Sequence, residues 1–202
     1  MREMPIIVSH YTKKTGYEKE VDHLIRSLKE FDLEYNVEGI DSLGNKDGVS
    51  AWRRNSNYCS LQVLRMLSEY PDRDILRVDA DAVFKRHPSI FLEDDFTADV
   101  AAHIHTFRWH ENELLGGTMF FRNNANVKNL VNKWALDCTL NKPSERNPDS
   151  LQNLLESGKF DVKFESLPDT YCTIFDIMED VEKPVIVHYQ ASRRFKKQVN
   201  RG

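Results

Sequence analysis

A chain of 202 residues with 40% hydrophobic and 30% charged residues, 8 Gly and 7 Pro is set for a folded core rather than for disorder or a low-complexity array. Its length fits one domain over residues 1–202 and lets about 70% of the unfolded surface be buried. The net charge of −4 argues against a nucleic-acid polymer as partner, although a local cluster of bases can still hold a small anion. The longest apolar runs are a few residues, far short of the ~20 that a bilayer span needs. The start, Met1-Arg2-Glu3-Met4-Pro5, has no apolar leader, and Cys59, Cys138 and Cys172 have no metal-site spacing. They read as free thiols in a reducing cytoplasm.

In chain order, Pro5-Ile6-Ile7-Val8-Ser9 predicts a buried strand. Tyr17, Val21, Leu24, Ile25, Leu28 and Phe31 fall at helical spacing and predict an amphipathic helix. Leu33 to Ile40 predicts a second strand closed by Asp41, so the chain opens β-α-β, the unit that builds a parallel sheet. After the Gly44–Gly48 loop, a helix is expected from about Ser56 to Tyr70 and a strand over Ile75–Val78. Asp99–Ile104 and the stretch from Gly116 to Arg122 predict two more strands. Val127–Leu140 and Asp149–Glu156 predict helices, with Asp149 placed to cap the second. Lys183–His188 predicts a last strand with a basic tail behind it.

Four features carry chemistry. Asp79-Ala80-Asp81 follows the apolar run Ile75–Val78, and ligands collect beyond the carboxyl ends of strands in open α/β sheets. Two carboxylates there suit a hard cation, Mn²⁺ or Mg²⁺, that keeps positions open for phosphates. Alone, the pair can equally solvate a strand end. His188 closes the last apolar strand and can supply a third ligand, or be an ordinary polar strand end. The bases behind it, Arg193, Arg194, Lys196 and Lys197, can grip a diphosphate or form a solvated terminus. Gly116-Gly117 permits a ligand to approach backbone closely, and the His103–Glu113 stretch before it is rich in His, Trp, Arg and Glu, a mixture that suits a sugar. The fourth is Asn147-Pro148-Asp149-Ser150-Leu151-Gln152, which can offer a carboxylate at a helix start.

Taken in order, these features resemble a GT-A glycosyltransferase. The order is similar to the glycogenin-like branch, with its Asp-x-Asp, its later Asp-Gln helix start and its C-terminal metal-binding His. The stretches Val8-Ser9-His10-Tyr11-Thr12 and Ala51-Trp52-Arg53-Arg54-Asn55 look closer to small glycosyltransferase domains of large DNA viruses and phages. The resemblance implies an α/β fold, a single nucleotide-diphosphosugar-binding domain with a mostly parallel central sheet flanked by helices. It implies Asp79, Asp81 and His188 as metal site for Mn²⁺ or Mg²⁺. It also implies that the donor is bound by Tyr11, Thr12, Asp41, Arg53, Asp79, Gly116, Gly117, Arg194 and Lys197. The Asp-Gln pair appears here as Asp149-Ser150 with Gln152 further on, and the branch's C-terminal glycine, proline and tryptophan pattern is absent after His188.

The activity so implied is transfer of a sugar from a nucleoside-diphosphate sugar, by resemblance a UDP-sugar, to an acceptor hydroxyl on a carbohydrate or glycoprotein. Asp149, with Glu113 in reserve, is the candidate for contacting the sugar or activating the acceptor. Two alternatives stand beside it. A haloacid-dehalogenase-like phosphatase also carries Asp-x-Asp after a strand, but usually after the first strand. A non-catalytic sugar-nucleotide-binding domain would use the same acids and bases without turnover.

Overall fold

The computed structural model describes residues 2–107 and 110–200. Strand β1 (Ile6–Thr12) leads to helix α1 (Tyr17–Glu30) and strand β2 (Tyr35–Ile40), and β2 lies parallel to β1. Helix α2 (Ala51–Glu69) and strand β3 (Ile75–Val78) follow, with β3 parallel to β1 on its other side. This is the β-α-β opening that the periodicity predicts. Strand β4 (Ala82–Phe84) is short. Strands β5 (Val100–Phe107) and β6 (His110–Phe121) form an antiparallel pair, and β6 also lies antiparallel to β3. Helices α3 (Ala125–Leu136) and α4 (Asn147–Glu156) come next. Strands β7 (Phe164–Ser166), β8 (Thr173–Ile174) and β9 (Ile186–His188) and helix α5 (Ser192–Val199) complete the order.

The main sheet runs β2-β1-β3-β6-β5-β7, and β4-β9-β8 form a smaller one. β7 joins β5 in parallel, so β6 alone runs against both its neighbours in the main sheet. Strand side chains alternate between faces. Ile6, Val8 and Ile75 pack with Val63, Met66, Leu67 and Trp134 on the α2–α3–α4 side. Ile7, Leu76 and Val78 pack with Leu24, Leu28, Phe84, Phe91 and Phe120 on the α1 side. Both faces are covered, which is why these strands read as continuous apolar runs.

Three local differences from the sequence expectation have physical causes. α2 starts at Ala51 rather than near Ser56, because the Ser50 hydroxyl accepts from the Arg53 amide and caps it. α4 starts at Asn147 with Pro148 in its first turn, so Asp149 lies inside the helix and caps nothing. The basic tail is the helix α5, anchored by the Ala191 amide on Asp81 Oδ2 at 2.6 Å. The short strands β4, β7 and β8 have no periodicity long enough to read.

Candidate active site

A cleft of about 450 Å³ opens beyond the carboxyl ends of β1 and β3. β1 delivers His10, Tyr11 and Thr12 to it, and the N-terminal ends of α1 and α2 add Tyr17, Trp52, Arg53 and Asn55. Asp79, Ala80 and Asp81 form its floor where β3 turns towards β4, with the Ala82 amide donating to the Asp79 carbonyl at 3.0 Å. β6 contributes Glu113 to Gly117, and β9 contributes His188.

At the floor, Asp79, Asp81 and His188 each offer a ligand atom, and these atoms lie within 4.8 Å of one another. The two strands that carry the acid pair and the imidazole are tied together: β4 pairs with β9, setting Ala82 opposite His188. Asp81 is 8% exposed and His188 1%. Asp81 uses Oδ2 on the Ala191 amide, and the His188 Nε2 edge meets the Thr118 hydroxyl at 2.9 Å. The remaining atoms, Asp81 Oδ1 and His188 Nδ1, face each other at 3.7 Å, too far for a hydrogen bond. Both are buried without a hydrogen-bond partner among the described residues. Buried polar atoms left this way are costly. A cation between them would satisfy both, and an O,O,N donor set suits Mn²⁺ or Mg²⁺.

Burial alone lowers the His188 pKa, but neighbouring Cys172, Asp81 and Asp79 outweigh it and bring it to about 10. Burial and the charge of Asp81 raise Asp79, against the pull of Arg77. Burial raises Asp81 too, yet His188 and the Ala191 amide hold it below the usual carboxylate range. Burial and the acids Asp81 and Asp79 push the Tyr17 phenol well up.

Of the other expected site residues, Tyr11, Thr12, Arg53, Glu113, Gly116 and Gly117 line the cleft. Asp41 does not, and its exposed carboxylate pairs with Lys13 at 3.7 Å. Arg194 also lies outside the lining and pairs with Glu20 at 2.9 Å. The side chain of Lys197 falls outside the described residues. Asp149 does not line the cleft either; it is held by the lining residue Arg146 through both carboxylate oxygens at 2.6 and 2.8 Å, while the same guanidinium reaches Glu113 at 2.5 Å. These bonds keep Arg146 firmly charged. Arg146, Arg77 and Tyr17 belong to no sequence motif, while Trp52 lies in the Ala51–Asn55 stretch and Thr118 directly follows the glycine pair. Arg77 alone left a sign, as one charge inside the apolar run Ile75–Val78.

The fold matches solved glycosyltransferases. One is a glycosyltransferase involved in the glycosylation of the major capsid of PBCV-1, with a TM-score of 0.71 at 11% identity, covering 98% of this chain and 100% of that one. Another is the glycosyltransferase GlyE of Streptococcus pneumoniae TIGR4, with a TM-score of 0.59 at 14% identity, covering 92% of this chain and 55% of that one. A third is the galactosyltransferase LgtC in complex with donor and acceptor sugar analogs, with a TM-score of 0.54 at 10% identity, covering 96% and 94%. The fold is therefore the GT-A arrangement of a mixed sheet flanked by helices. No curated protein matches the chain significantly. A family model matches residues 70–201, which hold the acid pair, the glycine pair, the α4 start and His188, and the chain belongs to the nucleotide-diphospho-sugar transferase family.

Proposed function

We propose that the protein is a divalent-metal-dependent glycosyltransferase that moves a sugar from a UDP-sugar to an acceptor hydroxyl on a carbohydrate or glycoprotein. The observation that carries this reading is the pair of buried atoms without a hydrogen bond, Asp81 Oδ1 and His188 Nδ1, which face each other at 3.7 Å beside Asp79 on the cleft floor. Asp79, Asp81 and His188 would hold Mn²⁺ or Mg²⁺, which when bound offsets the charge growing on the departing diphosphate.

The chain's own residues supply the rest. The Ala191 amide on Oδ2 turns the other oxygen of Asp81 into the site, and Thr118 fixes the ring of His188 in the same way. Tyr11, Thr12, Tyr17, Trp52 and Arg53 surround the part of the cleft assigned to the nucleoside, where rings stack and Arg53 lies 5.3 Å from the Trp52 ring centre. Gly116 and Gly117 let the donor come close to β6. The acceptor oxygen forms a bond to the anomeric carbon as the carbon–phosphate-oxygen bond breaks. The bonding pair leaves with the nucleoside diphosphate, and the acceptor proton passes to a base. Glu113 on the cleft wall is the carboxylate for sugar contact and proton acceptance, and Asp149, outside the lining, shares Arg146 with it and is the second candidate. Asp41 and Arg194 are left out of the donor set because neither lines the cleft.

The test is Asp81→Asn, which keeps the shape and removes the charge. UDP at ~100 times its Kd should stabilise the parent by ~2.7 kcal/mol in the presence of Mn²⁺. The variant should fold and lose that Mn²⁺-dependent shift. A variant that keeps the full shift would overturn the metal assignment. Release of UDP from a UDP-sugar in the presence of acceptor separates transfer from binding alone.

A further inference from the structure

Arg77 is the third residue of β3, between Leu76 and Val78, and it is 4% exposed. A buried guanidinium is costly unless it is well paired. An apolar residue would serve this strand better if only packing mattered. Arg77 pairs with Asp79 Oδ1 at 2.6 Å and donates to the Gly116 carbonyl. Its Nε is buried with no hydrogen-bond partner among the described residues, and its side chain lines the cleft.

We infer that Arg77 is a positioning residue that makes ion capture conditional on the donor diphosphate. The inference rests on the reading of Asp79, Asp81 and His188 as the metal site. Arg77 acts through two effects. By taking Oδ1 of Asp79 it fixes that carboxylate and leaves one oxygen for the site. By its charge it changes the balance on the cleft floor. Two carboxylates and one guanidinium sum to −1 when His188 is neutral, as a ligating ring must be. A divalent ion alone then leaves +1 beside three buried groups, Arg77, Asp81 and His188, which is unfavourable. A diphosphate arriving with it more than offsets that +1, and Arg53 and Arg146 line the same cleft against the remainder. Without Arg77 the carboxylates would sum to −2, and the ion alone would balance them.

The tail's bases do not replace this role. Arg193 and Arg194 are exposed and paired with Asp176 and Glu20, and Lys196 sits over the Trp52 ring at 4.3 Å.

The experiment measures Mn²⁺ binding to the whole chain by titration calorimetry, with and without UDP, for the parent, Arg77→Gln and Arg77→Lys. Thermal melts check that each is folded. The parent should bind Mn²⁺ at least about tenfold more tightly with UDP present, which is ~1.4 kcal/mol of coupling. Arg77→Gln keeps a hydrogen-bond donor and loses the charge. It should bind Mn²⁺ alone about tenfold more tightly than the parent does, and UDP should add little. Arg77→Lys keeps the charge and should retain most of the parent's coupling. Arg77→Gln that folds and binds Mn²⁺ no better than the parent overturns the inference. So does a parent whose Mn²⁺ affinity UDP leaves unchanged, a result that holds even if neither variant folds. Absence of Mn²⁺ binding to the parent in both conditions would instead overturn the metal reading, and the inference with it.

Discussion

Replacing Gly117 with alanine adds one methyl group at the edge of the metal site. A Cβ at that position meets His188 Cε1 at 3.0 Å and both ring nitrogens at 3.1 Å. Carbon contacts are normally 3.5–4.0 Å, so the ring must retreat by roughly 0.5–1 Å. His188 has little room to retreat, being 1% exposed and held through Nε2 by Thr118. The Gly117 backbone is outside the left-handed region, so alanine itself is tolerated there and the effect is steric. Overpacking of this kind costs about 1–3 kcal/mol. For a chain of this size that lowers Tm by about 2–12 °C. A ligand set loses function when displaced by about 0.5 Å, so Mn²⁺ affinity measured with UDP present should fall by about 10–100-fold. Gly116→Ala is the control. Its Cβ meets the Pro148 ring at 3.3 and 3.4 Å, a cleft wall rather than a ligand, so stability should fall while Mn²⁺ affinity measured without UDP is retained. Gly117→Ala with the parent's Mn²⁺ affinity would refute the placement of His188 as a ligand.

Two further outcomes follow from buried groups away from the ligands. His10 is buried with Nε2 at 2.9 Å from the Asn55 carbonyl, and burial, then Arg77, lowers its pKa from 6.5 to about 4. The unfolded chain takes up that proton first, so this stability is complete above pH 6.5 and is lost as pH falls towards 4, by at most ~3 kcal/mol. His10→Gln should flatten the pH dependence of Tm in that window, and an unchanged slope would remove His10 as its cause. Trp134 is fully buried and its indole donates to the Asn147 carbonyl at 2.8 Å at the start of α4. Trp134→Phe leaves that carbonyl without its donor and a gap beside Phe121, lowering stability by roughly 2 kcal/mol. A calorimetric Tm equal to the parent's would contradict the bond.

The amino-acid sequence by itself determined the β-α-β opening and the acid pair beyond the third strand. Ile6–Val8 and Ile75–Val78 could be read because both faces of the central sheet are covered, leaving apolar runs with few interruptions. The α1 helix could be read because one face meets the core and the other meets water. The single charge at Arg77 was visible within its strand, but its partner was not. Tertiary structure alone decided that Arg77 spans from Asp79 to Gly116, and that His188, 107 residues beyond Asp81, comes to face it. It also decided that Asp149 and Glu113 share Arg146, and that the basic tail is a helix preceded by an amide, that of Ala191, bonded to Asp81. Local propensity acts over a few residues and reaches none of these pairs. They are set by strand order, above all by β6 lying beside β3 and β9 beside β4. Strand order depends on how distant apolar faces are buried together, which no stretch of the chain carries alone.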